Sequence, residues 1–163
     1  MASVDPAGHL KQASKPSFTY HHTVSFKDTN VVGNVYYTNH LEWQGRCREH
    51  FLRSHAPGIL DDLSKDLRIV TLRCSCDYFA ELHAFDDVEV VMSLDARDGH
   101  RISLSFEYLL EGRQIAQGHQ QLGFMRMTPS GALEPTDPPP EMIDALSRFS
   151  HQAGPAQGGQ NAC

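Results

Sequence analysis

Residues 37–55 read YTNHLEWQGRCREHFLRSH, and this stretch decides the fold. At 100° per residue, Leu41, Gly45, Arg48 and Leu52 share one face, with Tyr37, Gln44 and Phe51 beside it. Glu42, Arg46, Glu49, His50 and Arg53 fill the opposite arc. Glu42–Arg46 and Glu49–Arg53 are i,i+4 pairs in the favourable order, so Arg46 and Arg53 are explained as a solvated face. Asn39 followed by Glu42 has the spacing of a capping box at the helix start. Pro57-Gly58 ends the helix. Gly45 is expected to admit a close approach of the surface on which the helix packs.

On both sides of the helix the apolar period changes from 3.6 to two. Phe18, Tyr20, Val24 and Phe26 alternate in 17–26. Residues 59–66 read as a connector. In 67–79, Val70, Leu72, Cys74, Cys76 and Tyr78 are assigned to one face, with Thr71 on the opposite one. Val88, Val90, Met92 and Leu94 alternate next, then Ile102, Leu104, Phe106, Tyr108 and Leu110, and a last strand covers 113–127. Asp98-Gly99 and Glu111-Gly112 mark hairpin turns, since glycine accepts positive φ. Three prolines, 138–140, precede a short amphipathic helix over 141–149. The order is strand, long helix, four strands in meander, short helix. It predicts an α+β domain in which a five-stranded antiparallel sheet wraps one long helix. The expected boundaries are a flexible arm over 1–15, the domain over 16–150, and a disordered low-complexity tail over 151–163, HQAGPAQGGQNAC.

The 163 residues carry 14 Lys and Arg against 20 Asp and Glu, a net charge of −6. That balance argues against nucleic acid as the main partner, because phosphate binding needs a basic footprint. No apolar run approaches the roughly 20 residues of a membrane span. The N-terminal residues contain no signal h-region, so a cytoplasmic location without membrane association is expected. Cys47, Cys74, Cys76 and Cys163 read as buried, reduced thiols, with Cys74 and Cys76 on one side of their strand. The ten histidines show no HxxxH or HExxH spacing, so neither a metal site nor a cofactor is expected.

Chemistry concentrates in residues 27–40, KDTNVVGNVYYTNH. Gly33-Asn34 makes a turn that lets backbone approach a ligand. The following helix points unpaired N–H groups and its positive dipole end at this loop, so a carbonyl placed there would be polarised and an oxyanion stabilised. Acyl transfer or hydrolysis fits. Asn30 is both a natural turn residue and a candidate donor at that point. Arg48 falls on the apolar stripe, where a guanidinium needs an anion or several acceptors. A snorkelling or core-edge pairing role is the alternative.

DTNVVGNVYYTNHLEWQGRCREHFL, running into IVTLRCSCDYF, resembles the hotdog-fold acyl thioesterases of the 4-hydroxybenzoyl-CoA type. Among these it most resembles the thioesterases of enediyne polyketide biosynthesis. The likeness covers about residues 18–128. It implies a single hotdog domain assembled as homodimers or homotetramers, with active sites at the dimer interface. In the 4-hydroxybenzoyl-CoA enzymes the motif's third position is an aspartate acting as nucleophile or base. Here it is Asn30, which cannot ionise or form an acyl anhydride. The enediyne branch is similar in having Asn there. The resemblance also places the Tyr37 N–H on the thioester carbonyl and makes Arg48 and Thr71 polar groups of the site. Gly33 and His40 come beside the substrate, with His40 standing where that branch has tyrosine. Thr71 is equally an ordinary β-former.

The expected reaction is hydrolysis of a linear polyene β-ketoacyl thioester delivered on the phosphopantetheine arm of an acyl carrier protein. Other acyl-CoA substrates remain open, as does a catalytically idle acyl-binding hotdog. A hotdog dehydratase needs a His–carboxylate pair, and the sequence offers no evident carboxylate beside His22 or His40.

Overall fold

The two hairpins form where the turn residues put them. Glu111 and Gly112 both take positive φ, 53° and 77°, the pairing of a type I′ turn whose twist matches the flanking strands. Gly99 takes φ 53° in the other link. The computed structural model describes residues 17–149, so the terminal arm and tail expected from the sequence lie outside the described residues.

The elements are β1 (Phe18–Thr23), α1 (Thr38–His55), α2 (Gly58–Ser64), β2 (Leu67–Tyr78), β3 (Asp87–Asp98), β4 (Arg101–Leu110), β5 (Arg113–Met127), β6 (Leu133–Pro135) and α3 (Pro140–Ser147). The sheet is antiparallel in the order β1-β3-β4-β5-β2, with β6 paired to β5. It therefore has six strands rather than five. Only β3, β4 and β5 form a meander, because β2 crosses to the far side and pairs with β5. The 79–86 link is no two-residue hairpin: its tight turn at His83–Asp86 leads into β3 and leaves β2 free to pair elsewhere. α2 occupies most of the expected connector, with Ile59 buried under it.

α1 lies against one face of the sheet, its buried residues being His40, Trp43, Gln44, Cys47, Phe51 and Leu52. They meet Val88, Val90, Met92, Ile102, Leu104, Phe106, Tyr108, Leu122 and Phe124, all essentially buried. The helix is thus rotated by about one position from the wheel above. His40 and Gln44 go inside, while Gly45 and Arg48 lie at the boundary. A Cβ on Gly45 would meet nothing within 4 Å, so the close approach assigned to it does not occur. Gly118 provides it instead, because a Cβ there would lie 2.0 Å from Gln44 Nε2.

A register shift between Thr71 and Arg73 changes the faces of β2. Thr71 is level with Leu122, and beyond the shift Cys74, Cys76 and Tyr78 are level with Gln120, Gly118 and Ala116. Cross-strand partners share a face. Thr71 therefore joins Cys74, Cys76 and Tyr78 on the side of α1. Val70 and Leu72 go to the other side, where they border Gly123. The bulge overturns the single five-residue face read from the sequence. Cys47 is buried and Cys76 half-buried, but Cys74 is exposed; Cys163 lies outside the described residues. Burial pushes the Cys47 thiol up to about 12 and the Cys76 thiol up to about 11.

Candidate active site

The loop before α1 is bonded to itself and to the β2–β3 connection. The Asn30 N–H donates to the Asn34 carbonyl at 2.8 Å, and the Gly33 N–H to the Asn30 carbonyl at 3.0 Å. Gly33 takes φ 92°, which only glycine adopts without strain. Asn30 Oδ1 accepts from the Val32 N–H at 2.9 Å, and Asn30 Nδ2 donates to Asn34 Oδ1. Asn30 is thus a turn residue. One Nδ2 hydrogen is nevertheless left without a partner among the described residues.

Two donors converge on the Asp28 carbonyl: the Tyr36 N–H at 2.9 Å and Asn39 Nδ2 at 2.7 Å. Asn39 therefore ties the helix to the loop and does not cap it. The N-cap is Tyr37, with no side-chain cap, so the expected capping box is absent. The Tyr37 N–H makes no hydrogen bond among the described residues. Its carbonyl accepts from Tyr78 Oη at 2.9 Å. An unbonded N–H at the positive end of an 18-residue helix is a ready donor to a carbonyl oxygen. Val31, Val32, Tyr36 and Tyr37 are exposed in the segment that leads into the helix and form an apolar surface there.

His40 lies under this first turn, 4% exposed, and neither ring nitrogen has a hydrogen-bond partner. Its ring sits 4.9 Å from Tyr78, 5.1 Å from Trp43 and 5.3 Å from Tyr108. Burial pushes its pKa down to about 4, opposed by the nearby Tyr37 carbonyl, although neither ring nitrogen completes a hydrogen bond. The ring is neutral at pH 7. The unfolded chain binds a proton at about 6.5, whereas the native ring resists until about 4. Stability should therefore fall on acidification across that window, by on the order of 2–3 kcal/mol from this group. Urea unfolding of His40→Phe between pH 7 and pH 4 should show a shallower loss than the wild type. Equal slopes would contradict the burial argument.

Arg48 lies about three turns further along α1. Nη1 donates to Gln120 Oε1 at 3.0 Å, and no carboxylate pairs with the guanidinium among the described residues. Burial pushes its pKa down, opposed by the charges of Glu49 and Cys74, but a guanidinium keeps its proton. Gln44 Nε2 donates to the Ser75 carbonyl at 3.0 Å, and Cys74 Sγ donates to Gln44 Oε1 at 3.3 Å. Exposed Thr71 stands on the same side of β2. The expected site residues therefore form two groups. Asn30 and Gly33 lie in the loop that leads to Tyr37 and His40 at the helix start, while Arg48 sits at mid-helix and Thr71 on β2. Eleven residues at 1.5 Å each separate Tyr37 from Arg48, roughly 16 Å. The sequence reading placed Gln44 and Tyr78 on element faces but not in the site, and it passed over Gln120. Gln120 was findable, as a polar residue in the inward row Ala116, Gly118, Gln120, Leu122.

His22 does have a carboxylate. Its Nε2 lies 3.2 Å from Asp28 Oδ2, which also accepts from the Ser25 N–H and Oγ, each at 2.8 Å. This corrects the expectation that no such pair exists. Burial would raise the Asp28 pKa, but the bonds from Ser25 and His22 hold it below the usual carboxylate range. One oxygen takes all three contacts, so the pair ties the start of the loop to β1.

The family profile described as the thioesterase-like superfamily matches residues 24–146. The chain belongs to that superfamily. It is a thioester hydrolase built as one hotdog domain, as the loop-helix resemblance implied. Among solved structures it is similar to the dynemicin thioesterase, whose crystal structures describe induced-fit and allosteric effects upon polyene binding. Identity is 48% over 84% of this chain and 99% of that one, with a TM-score of 0.80. A 1,4-dihydroxy-2-naphthoyl-CoA thioesterase from Synechocystis shares the fold at 22% identity, covering 83% of this chain and 98% of its own, with a TM-score of 0.70. A gentisyl-coenzyme A thioesterase does so at 23%, covering 79% and 98%, with a TM-score of 0.66. Curated protein sequences gave no significant match. Among the described residues, no helix of the thioesterase is long and apolar enough to cross a membrane.

Proposed function

We propose that this thioesterase releases a linear polyene β-ketoacyl chain as the free β-keto acid. The chain arrives as a thioester on the phosphopantetheine arm of an acyl carrier protein, in biosynthesis of the enediyne type. The observation that carries this is the unbonded Tyr37 N–H at the helix start, seven residues after a motif position that holds Asn30 and no carboxylate. Its setting is a chain 48% identical to a polyene-binding thioesterase.

The thioester oxygen accepts from the Tyr37 N–H at the helix start, and the remaining Asn30 Nδ2 hydrogen orients that oxygen or the attacking water. Water adds to the carbonyl carbon, the oxyanion is held by the helix-start donor, and the C–S bond breaks. The thiol leaves with a proton supplied through water. The electron-withdrawing β-keto group activates the carbonyl, so hydrolysis proceeds without a protein base, at a modest rate. The released β-keto acid can then decarboxylate.

Arg48 and Thr71 reach the same carbonyl region if a second copy supplies them. β2 is a 12-residue edge strand with no neighbour on its outer side among the described residues. Such an edge is a template for pairing. An antiparallel pairing of two β2 strands centred near Cys74 would set Thr71 of the partner subunit against residues 77–78. Tyr78 is bonded to the Tyr37 carbonyl. Arg48 of the partner subunit would approach from the same side and meet the polar β-keto unit.

A single turnover in ¹⁸O-water, with enzyme in excess, tests direct attack. Label is expected in the released acid and absent from every Asp and Glu of the protein. Label in a protein carboxylate would establish an anhydride intermediate and overturn this mechanism. Asn30→Ala, which removes one orienting hydrogen bond, is expected to turn over about tenfold more slowly.

A further inference from the structure

We infer that Glu81, acting through Asn34, fixes the direction in which Asn30 presents its amide to the substrate. The inference rests on the role proposed for Asn30 above. Glu81 lies outside the loop-helix motif, on the β2–β3 connection, and is exposed.

Asn34 Nδ2 donates to Glu81 Oε1 at 2.9 Å, Asn30 Nδ2 donates to Asn34 Oδ1, and the Val32 N–H donates to Asn30 Oδ1 at 2.9 Å. The direction of this chain is set at both ends by groups with a single role. A backbone N–H only donates, so Asn30 must turn Oδ1 toward Val32. A carboxylate only accepts, so Asn34 must turn Nδ2 toward Glu81. Asn34 Oδ1 then faces Asn30 and takes one Nδ2 hydrogen. The other Nδ2 hydrogen is left for a ligand.

Backbone contacts hold the partners in register. The Val35 N–H donates to the Leu82 carbonyl at 2.8 Å, and Asn34 and His83 form an antiparallel bridge. Glu81 therefore arrives at Asn34 on a braced segment, although its side chain is exposed. Without the carboxylate, Asn34 can flip its amide and offer Nδ2 to Asn30. Two donors then face each other, and Asn30 is held by the Val32 N–H alone instead of from both sides. Glu81 is a positioning residue, since it touches the substrate only through two other side chains.

The test measures kcat and KM for thiol release from a β-ketoacyl thioester. Glu81→Ala and Asn34→Asp should each lower kcat about tenfold with KM unchanged. In Asn34→Asp the new carboxylate faces Glu81 and swings away from Asn30. Adding Glu81→Gln should restore kcat to within about threefold of wild type. There the aspartate accepts from both Asn30 and the new glutamine, which rebuilds the chain with its charge moved by one residue. A merely structural tie would be rebuilt as well, but it predicts that kcat follows the melting temperature, whereas the positioning role predicts slow single variants that stay as stable as wild type. The inference is overturned if Asn30→Ala is slow while Glu81→Ala and Asn34→Asp are not, or if the double variant is as slow as Asn34→Asp. If Asn30→Ala matches wild type, the role proposed for Asn30 fails instead, and the positioning role falls with it.

Discussion

Arg48→Ala is expected to slow thiol release from a β-ketoacyl thioester by 10²- to 10³-fold while leaving the fold as stable as before, or more stable. The guanidinium has five N–H donors, and Gln120 takes one of them. No carboxylate pairs with it among the described residues, and burial already pushes its pKa down. A half-buried cation so poorly satisfied costs stability, and its removal relieves that cost. What it offers in return is a set of uncommitted donors for an oxyanion or a β-keto oxygen, and losing such a group costs 10²–10³ in rate. A role in stability alone predicts the reverse, a lower melting temperature at full activity. If Arg48 acts on the substrate bound in the partner subunit, mixing Arg48→Ala with Asn30→Ala should restore activity. Random reassortment gives roughly a quarter of wild-type sites, because half of the dimers are mixed and one of their two sites is intact. No recovery after confirmed subunit exchange would place Arg48 in the site of its own chain.

Gly118→Val should destabilise the fold by about 3–5 kcal/mol, read as a shift in urea midpoint at constant m. A Cβ at this position would lie 2.0 Å from Gln44 Nε2, 2.9 Å from its Cδ and 3.2 Å from the Ser75 carbonyl oxygen. Gln44 is fully buried and donates to that same carbonyl. The added methyls must expel its amide, so overpacking adds to the loss of a buried hydrogen bond, each about 1–3 kcal/mol. Gly45→Ala is the internal control. Its Cβ meets nothing within 4 Å, and alanine favours helix by nearly 1 kcal/mol over glycine, so this variant should be neutral or stabilising in the protomer.

The reading of α1 shows what a sequence exposes and what it withholds. Its length, its i,i+4 pairs and its end at Pro57-Gly58 were legible because they depend on local spacing. Its rotation was not, because His40 and Gln44 are polar residues that go inside. Gln44 does so by bonding Ser75, 31 residues away, and His40 by losing its charge among three aromatic rings. The β3–β4–β5 meander was legible from its two glycine turns. The place of β2 was not, since alternation gives the face of a strand but not its neighbour. The bulge at Leu72 also broke the alternation within β2. In the site, the loop and helix start were readable as one unit. Glu81 was not, because its tie to Asn34 spans 47 residues and carries no local signature.

The most direct measurement compares thiol release from a β-ketoacyl thioester on an acyl carrier protein with release from a saturated acyl thioester of equal length. The account predicts clear turnover of the first, slow or absent turnover of the second, and no dependence on a protein carboxylate nucleophile. Equal rates for the two, or a preference for the saturated chain, would contradict it.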